Sequence, residues 1–229
     1  MRRRSLTINL CATVSLALLW HAEESGAQAI LATGPDAEVT EDGLHRVEPS
    51  IMGAAWVRSD LDLSQYNRIY FMPAAVQFRD VPERRHNARS METADSFFVN
   101  ESRQARLREL FGEAFYEAVG RVESYELSDE AGRGVLIVQG LLTDVISGVP
   151  PDVVGSVSTS SIRWIWETNI VLEVRDSMSD VVLARTADRE RVDGSFAVGA
   201  EAAVTPRVVQ SWSQLLVGRL EELSDLGGE

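Results

Sequence analysis

The sequence predicts an α/β (α+β) sandwich: a mixed, mainly antiparallel sheet of about four or five strands with two principal helices packed on it. Three observations predict it. From Ser161 to Asp193 the chain alternates apolar and polar residues at period two, breaks at a short polar turn, and resumes. Leu107 to Val119 carries apolar residues at helical spacing, and so does Val208 to Leu223. Pro, Gly and Ser cluster between these segments, where turns belong.

The alternating stretch is the organising one. Trp164, Trp166, Thr168, Ile170, Leu172 and Val174 share one face at period two, and Glu167, Asn169, Glu173 and Arg175 share the other, with Ile165 and Val171 between them. Such a strand is packed on one side and wet on the other. The Asp176–Asp180 segment turns it into a second strand and so makes an antiparallel hairpin.

In chain order, Arg2, Arg3 and Arg4 followed by the apolar Leu6–Trp20 predict a signal peptide over 1–29, with Ala27-Gln28-Ala29 as the small-x-small cleavage site. The apolar run is shorter than the roughly 20 residues that span a bilayer. The Arg3-Arg4-Ser5-Leu6 run resembles a twin-arginine export signal as well as an ordinary positive n-region. Residues 30–55 are acidic and without periodicity, which predicts an extended N-terminal arm. A single domain is expected over 56–225. Arg68–Phe78 predicts the first strand, with Pro73 marking an edge position, a bulge or an early end. Arg79–Ser90 reads as a charged loop with a basic cluster of Arg79, Arg84, Arg85, His86 and Arg89. The first helix follows, capped by Asn100 or Ser102 and stopped near Gly120. Gly134–Ser147 is almost continuously apolar at first, as a strand covered on both faces would be. Gly194–Ala203 reads as flexible, and Thr205 with Pro206 reads as the start of the last helix.

Composition bounds the function. The formal net charge is −13, and all 22 basic residues are arginine. Removing the leader takes away three arginines and Glu23 and Glu24, which leaves the mature chain more acidic still. That balance speaks against nucleic acid and against anionic lipid as partners. Cys11, the only cysteine, lies within the leader, so the mature chain is expected to have no disulfide and no cysteine metal site. The sequence contains no Gly-x-Ser-x-Gly elbow, no His-Glu-x-x-His and no glycine-rich phosphate loop. Asp176-Ser-Met-Ser-Asp180 resembles the start of a calcium loop, but it lacks the central glycine and has Ala187 where the twelfth-position Glu should stand. Neither a cofactor nor a metal is therefore expected.

The hairpin pattern Glu173-Val174-Arg175-Asp176, a short turn, Val182-Leu183-Ala184-Arg185, then Asp188 and Asp193-Gly194, resembles the bacterial envelope family catalogued as domain of unknown function 3313. Asp60–Tyr66 leading into a strand resembles the same family, and the likeness runs from about Gly43 to Leu223. The resemblance implies a small α/β domain in the cell envelope and brings no catalytic residue with it. Members are largely predicted lipoproteins. Here Cys11 sits too early in the apolar run for a lipobox, so a periplasmic protein without a lipid anchor is expected.

Two readings of function follow. In the first, the chain is a non-enzymatic module that binds an envelope protein or self-associates, with Gly155, Ser158 and Ser160 beside a strand edge available for β-augmentation. A purely structural, self-associating envelope component is a variant of it. In the second, Trp164 and Trp166 line a ligand slot, with Asp188 or Asp193 as the acidic group of a small-ligand binder or hydrolase-like enzyme.

Overall fold

The computed structural model describes residues 30–31, 38–48, 53–83, 96–150, 162–197 and 199–226. The proposed leader and the Gly155, Ser158 and Ser160 contact lie outside these residues. Nine strands are present among them: β1 (Ile30–Leu31), β2 (His45–Glu48), β3 (Ala54–Val57), β4 (Arg68–Phe71), β5 (Ala75–Phe78), β6 (Glu126–Leu127), β7 (Val135–Ser147), β8 (Ile162–Asp176) and β9 (Val182–Phe196). The two helices are α1 (Glu101–Val119) and α2 (Glu201–Leu226).

The strands form one mixed sheet in the order β1-β2-β3-β9-β8-β7-β4-β6, with β5 also paired to β7. The expected four or five strands are therefore too few. The long strands β7, β8 and β9 form the predicted antiparallel meander. The short ones extend it on both sides. β3 continues it antiparallel to β9, and β2 and β1 follow, each antiparallel to its neighbour, so strands within 30–55 belong to the sheet and a boundary at 56 cuts β3 in two. The predicted first strand is two strands in line. β4 runs parallel to Val135–Val138 and β5 parallel to Leu141–Val145, with Pro73 in the gap, where a residue without an N–H interrupts the ladder.

Returning from β4 to the parallel β7 requires a crossover, and α1 supplies it. Asn100 caps α1, its Oδ1 accepting the Arg103 N–H at 3.0 Å. The stripe Leu107, Phe111, Phe115, Ala118 and Val119 is buried. Beside it lies α2, which buries Val209, Trp212, Leu216, Leu220 and Leu223. Both helices cover one face of the sheet and meet over Gly140 of β7, where a Cβ would stand 2.8 Å from the Phe115 ring and 2.9 Å from Leu216. Leu136, Val138 and Leu142 are fully buried on that face, whereas Ile137, Gln139 and Leu141 on the other are only half-buried. β7 is thus covered on one face, not both.

Helix α2 begins four residues before Thr205, so Pro206 lies inside it and Thr205 is not its cap. Gly194 belongs to β9 and not to a flexible link. The Ala-rich segment that follows favours helix by intrinsic propensity, and a pair between Glu201 and Arg103 of α1 at 2.8 Å holds the early start in place.

The close approach at Gly140 sets a prediction. Gly140→Ala drives a methyl into Phe115 and Leu216 and is expected to lower stability by about 1–3 kcal/mol, measured by urea denaturation with an unchanged m-value.

Candidate functional site

The sheet face away from the helices is the chemically distinctive surface. At the centre of it β8 presents Glu167 and Glu173, both only 8% exposed. They are covered by arginines from the hairpin. Glu173 accepts from Arg175 Nε at 2.7 Å and from Arg185 Nε and Nη2 at 2.9 and 2.6 Å. Arg185 reaches on to Asp42 at 2.8 Å. Glu167 accepts from Arg189 Nε at 3.0 Å, with Arg191 at 3.7 Å from its other oxygen. The register places Glu173 opposite Arg185 and Glu167 opposite Arg191, so the clusters are direct cross-strand pairs. Both oxygens of Glu173 already accept from guanidinium donors, which leaves it poorly placed to take a substrate proton.

Between the clusters runs an apolar row. Leu141, Val171, Ala187 and Ala54 stand opposite one another on β7, β8, β9 and β3, all half-buried. Beyond the Glu173 cluster, Arg46 lies 5.5 Å from the Trp56 ring, and both reach Glu38.

At the other end the ladder is bulged. Register shifts fall between Thr143 and Ile146 on β7 and between Trp164 and Glu167 on β8. Asp144 in the first bulge has φ 57°, a left-handed conformation that Asp tolerates better than most residues. Its carboxylate accepts from Arg79 Nε at 2.6 Å, and the Arg79 guanidinium holds it below the ordinary carboxylate range, with Arg189 acting in the same direction. Bulges re-aim side chains and are common beside functional sites.

The second bulge separates two residues that period-two alternation puts on one face. Trp166 is buried on the helix side, its Nε1 donating to Thr205 Oγ1 at 3.0 Å. Arg103 stacks 5.6 Å from its ring and also bonds Ser147 Oγ. Trp164 instead lies 4.9 Å beneath Arg191, which pairs with Asp193 at 3.0 Å. A Cβ at Gly148 would run into the Trp164 ring.

The proposed ligand residues therefore do not converge. Asp193 and Trp164 share Arg191 on the open face, whereas Trp166 anchors the helix starts. Asp188 is buried toward α2, paired with Arg219 Nε at 2.9 Å and accepting the Gly53 N–H at 2.8 Å. Its ion partner is Arg219 of α2. Asp144 carries one faint signal in the sequence, an aspartate after Thr143 inside an otherwise apolar strand, and it marks the bulge. The Asp176–Asp180 segment is a turn. Asp176 Oδ1 accepts from the Ser179 hydroxyl and from the Met178 and Ser179 N–H groups, and these bonds, the Ser179 hydroxyl foremost, lower its pKa.

Among the described residues no group of three or more His, Cys, Asp and Glu side chains could hold a metal ion, and no helix is long and apolar enough to cross a membrane. No family model and no curated protein matches the chain. Solved structures give distant likenesses. A protein of Xanthomonas campestris from the family DUF330 is 12% identical, with TM-score 0.38, over 72% of this chain and 88% of that one. The PelC dodecamer from Paraburkholderia phytofirmans is 6% identical, with TM-score 0.34, over 72% and 98%. Protein CT253 of Chlamydia trachomatis is 12% identical, with TM-score 0.32, over 68% and 96%. TM-scores this low carry no inference about function.

Two stability predictions follow. Arg219→Met leaves the Asp188 carboxylate buried without its ion partner and is expected to cost about 3 kcal/mol, read from denaturant midpoints. Tyr66 donates to Asp176 at 2.9 Å. Burial, with help from that carboxylate, raises its pKa from 10.0 to about 12. The folded chain thus keeps the phenol protonated where the unfolded chain loses its proton, so the stabilisation is intact below pH 10.0 and is lost as pH climbs toward about 12. A Tm series across that window is expected to fall more steeply for the wild type than for Tyr66→Phe.

Proposed function

We propose that the chain is an exported, non-enzymatic module of the bacterial envelope whose open sheet face binds another envelope protein or a further copy of itself. The observation that carries this reading is the form of that face. It is a broad surface on which an apolar row separates two arginine–glutamate clusters, with Arg189 and Arg191 side chains 65% and 46% exposed at the bulged end. Apolar rows flanked by arginine and tryptophan suit contact with a protein surface. The export signal read in residues 1–29 and the resemblance of the hairpin to an envelope family support the location.

The Gly155, Ser158 and Ser160 contact lies outside the described residues, and from Trp166 to Asp176 β8 is flanked by β7 and β9, so the open face is the surface that the described residues offer. Carboxylates already bonded by guanidinium groups serve docking better than acid–base chemistry.

The test is crosslinking in intact cells, followed by capture and mass spectrometry, with wild type and the Arg189→Glu/Arg191→Glu double variant compared. The expected result is a reproducible envelope partner, or a self-crosslink, that falls roughly tenfold in the variant, whose Tm is lowered by the loss of both Glu167 partners while its circular dichroism at the assay temperature still shows the folded chain. Equal crosslinking of both proteins, or turnover of a substrate by the purified protein, overturns the reading.

A further inference from the structure

We propose that the outer edge of β5 and the groove beside it dock an extended peptide segment that places a carboxylate over Phe78. This rests on the binding reading above and names a second contact with its chemistry. Three observations converge on it.

The first is backbone. β4 is covered by β6, but β5 pairs only with β7, and its outer edge carries no strand among the described residues. Such an edge is a template for a further strand, and peptides that add to one take their affinity from main-chain hydrogen bonds.

The second is shape. A groove of about 430 Å³ lies beside β5, lined by residues 76–81, residues 97–99, the start of α1 and Val145 and Ile146 of β7. Val76, Phe78, Phe97, Val99, Val145 and Ile146 give it apolar walls. Pockets for alternate side chains beside a strand edge are what confer specificity in this mode of recognition.

The third is charge. Arg108 of α1 lies 5.2 Å from the Phe78 ring, donates to Gln104 Oε1 at 3.1 Å, and has no carboxylate partner among the described residues. Arg79, the other guanidinium in the lining, is bound to Asp144. Asp80 is the single carboxylate of the lining. The unpaired positive charge therefore stands over Phe78, and that is where a peptide carboxylate finds a guanidinium with free donors. The Arg79–Asp144 pair also joins the groove to the bulged corner of the open face, so one partner can span both.

The experiment uses the purified chain and two fluorescein-labelled octapeptides of alternating Thr and Val, one with a central Glu and the other with a central Lys. Fluorescence anisotropy is expected to show the Glu peptide bound about tenfold tighter. Arg108→Glu, at an exposed position of α1, is expected to reverse that order. Hydrogen exchange with the Glu peptide is expected to slow at the 75–78 amides. Equal binding of the two peptides, an unchanged order in Arg108→Glu, or binding without protection at 75–78 overturns the proposal. Protection at 75–78 that grows with protein concentration in the absence of peptide overturns it in favour of a second copy. In cells, a crosslink lost in Arg189→Glu/Arg191→Glu but fully retained in Arg108→Glu sinks the groove alone and leaves the open-face reading standing.

Discussion

The structure depends on β8 having two incompatible faces. Ile170, Leu172 and Val174 must lie under the helices, and Glu167 and Glu173 must not. Because the side-chain period is two, a one-residue slip would carry the glutamates into the helix–sheet core and the apolar residues to the surface. Burying an unpaired carboxylate costs more than any local adjustment regains. β8 lies between β7 and β9, so its register also sets which residues of those strands face the helices. Arg185 and Arg191 opposite Glu173 and Glu167 add to this, since a slipped hairpin would lose both cross-strand pairs as well.

The bulges qualify that register only at one end, and there they divide the labour of two tryptophans. Trp166 joins Thr205, Arg103, Ser147 and Glu201 in a network that ties the starts of both helices to the last turns of the sheet. Trp164 is released to the open face, where it supports Arg191. One shift in pairing thus turns a residue from the core into part of a surface.

Legibility in the sequence followed the length of each element. The alternation of β8, the apolar stripe of α1 and the turn at Asp176 could all be read, because each repeats its signal or concentrates it in a few diagnostic residues. β1, β2, β3 and β6 hold two to four residues apiece, too few for a period to show, and each forms by adding to an edge already present: β3 to β9, β2 to β3, β1 to β2 and β6 to β4. The pairing of Asp188 with Arg219 was hidden for another reason. It joins a strand to a helix 31 residues later in the chain, and no local pattern encodes that. The two tryptophans misled because a bulge depends on the facing strand as much as on its own residues. Thr205 has the residue type of a cap, yet its hydroxyl donates to the Glu201 carbonyl from within the helix.

Net charge alone would forbid an acidic partner, but charge acts locally. The connector from α1 to β7 carries Glu123, Glu126, Asp129 and Glu130, all exposed, at the end of the sheet where β7 begins. The arginines of the bulged corner stand near Asp144, nine residues along the same strand, or about 30 Å at the rise of a β-strand. The Debye length at physiological salt is about 8 Å. A partner approaching Arg79, Arg108, Arg189 and Arg191 therefore meets those guanidinium groups and their immediate carboxylates, while the acidic end of the molecule is screened from it. The negative total discourages non-specific association with nucleic acid and anionic lipid, and the contact with a carboxylate-bearing protein surface proposed above needs only the local field at the arginine-bearing end of the sheet.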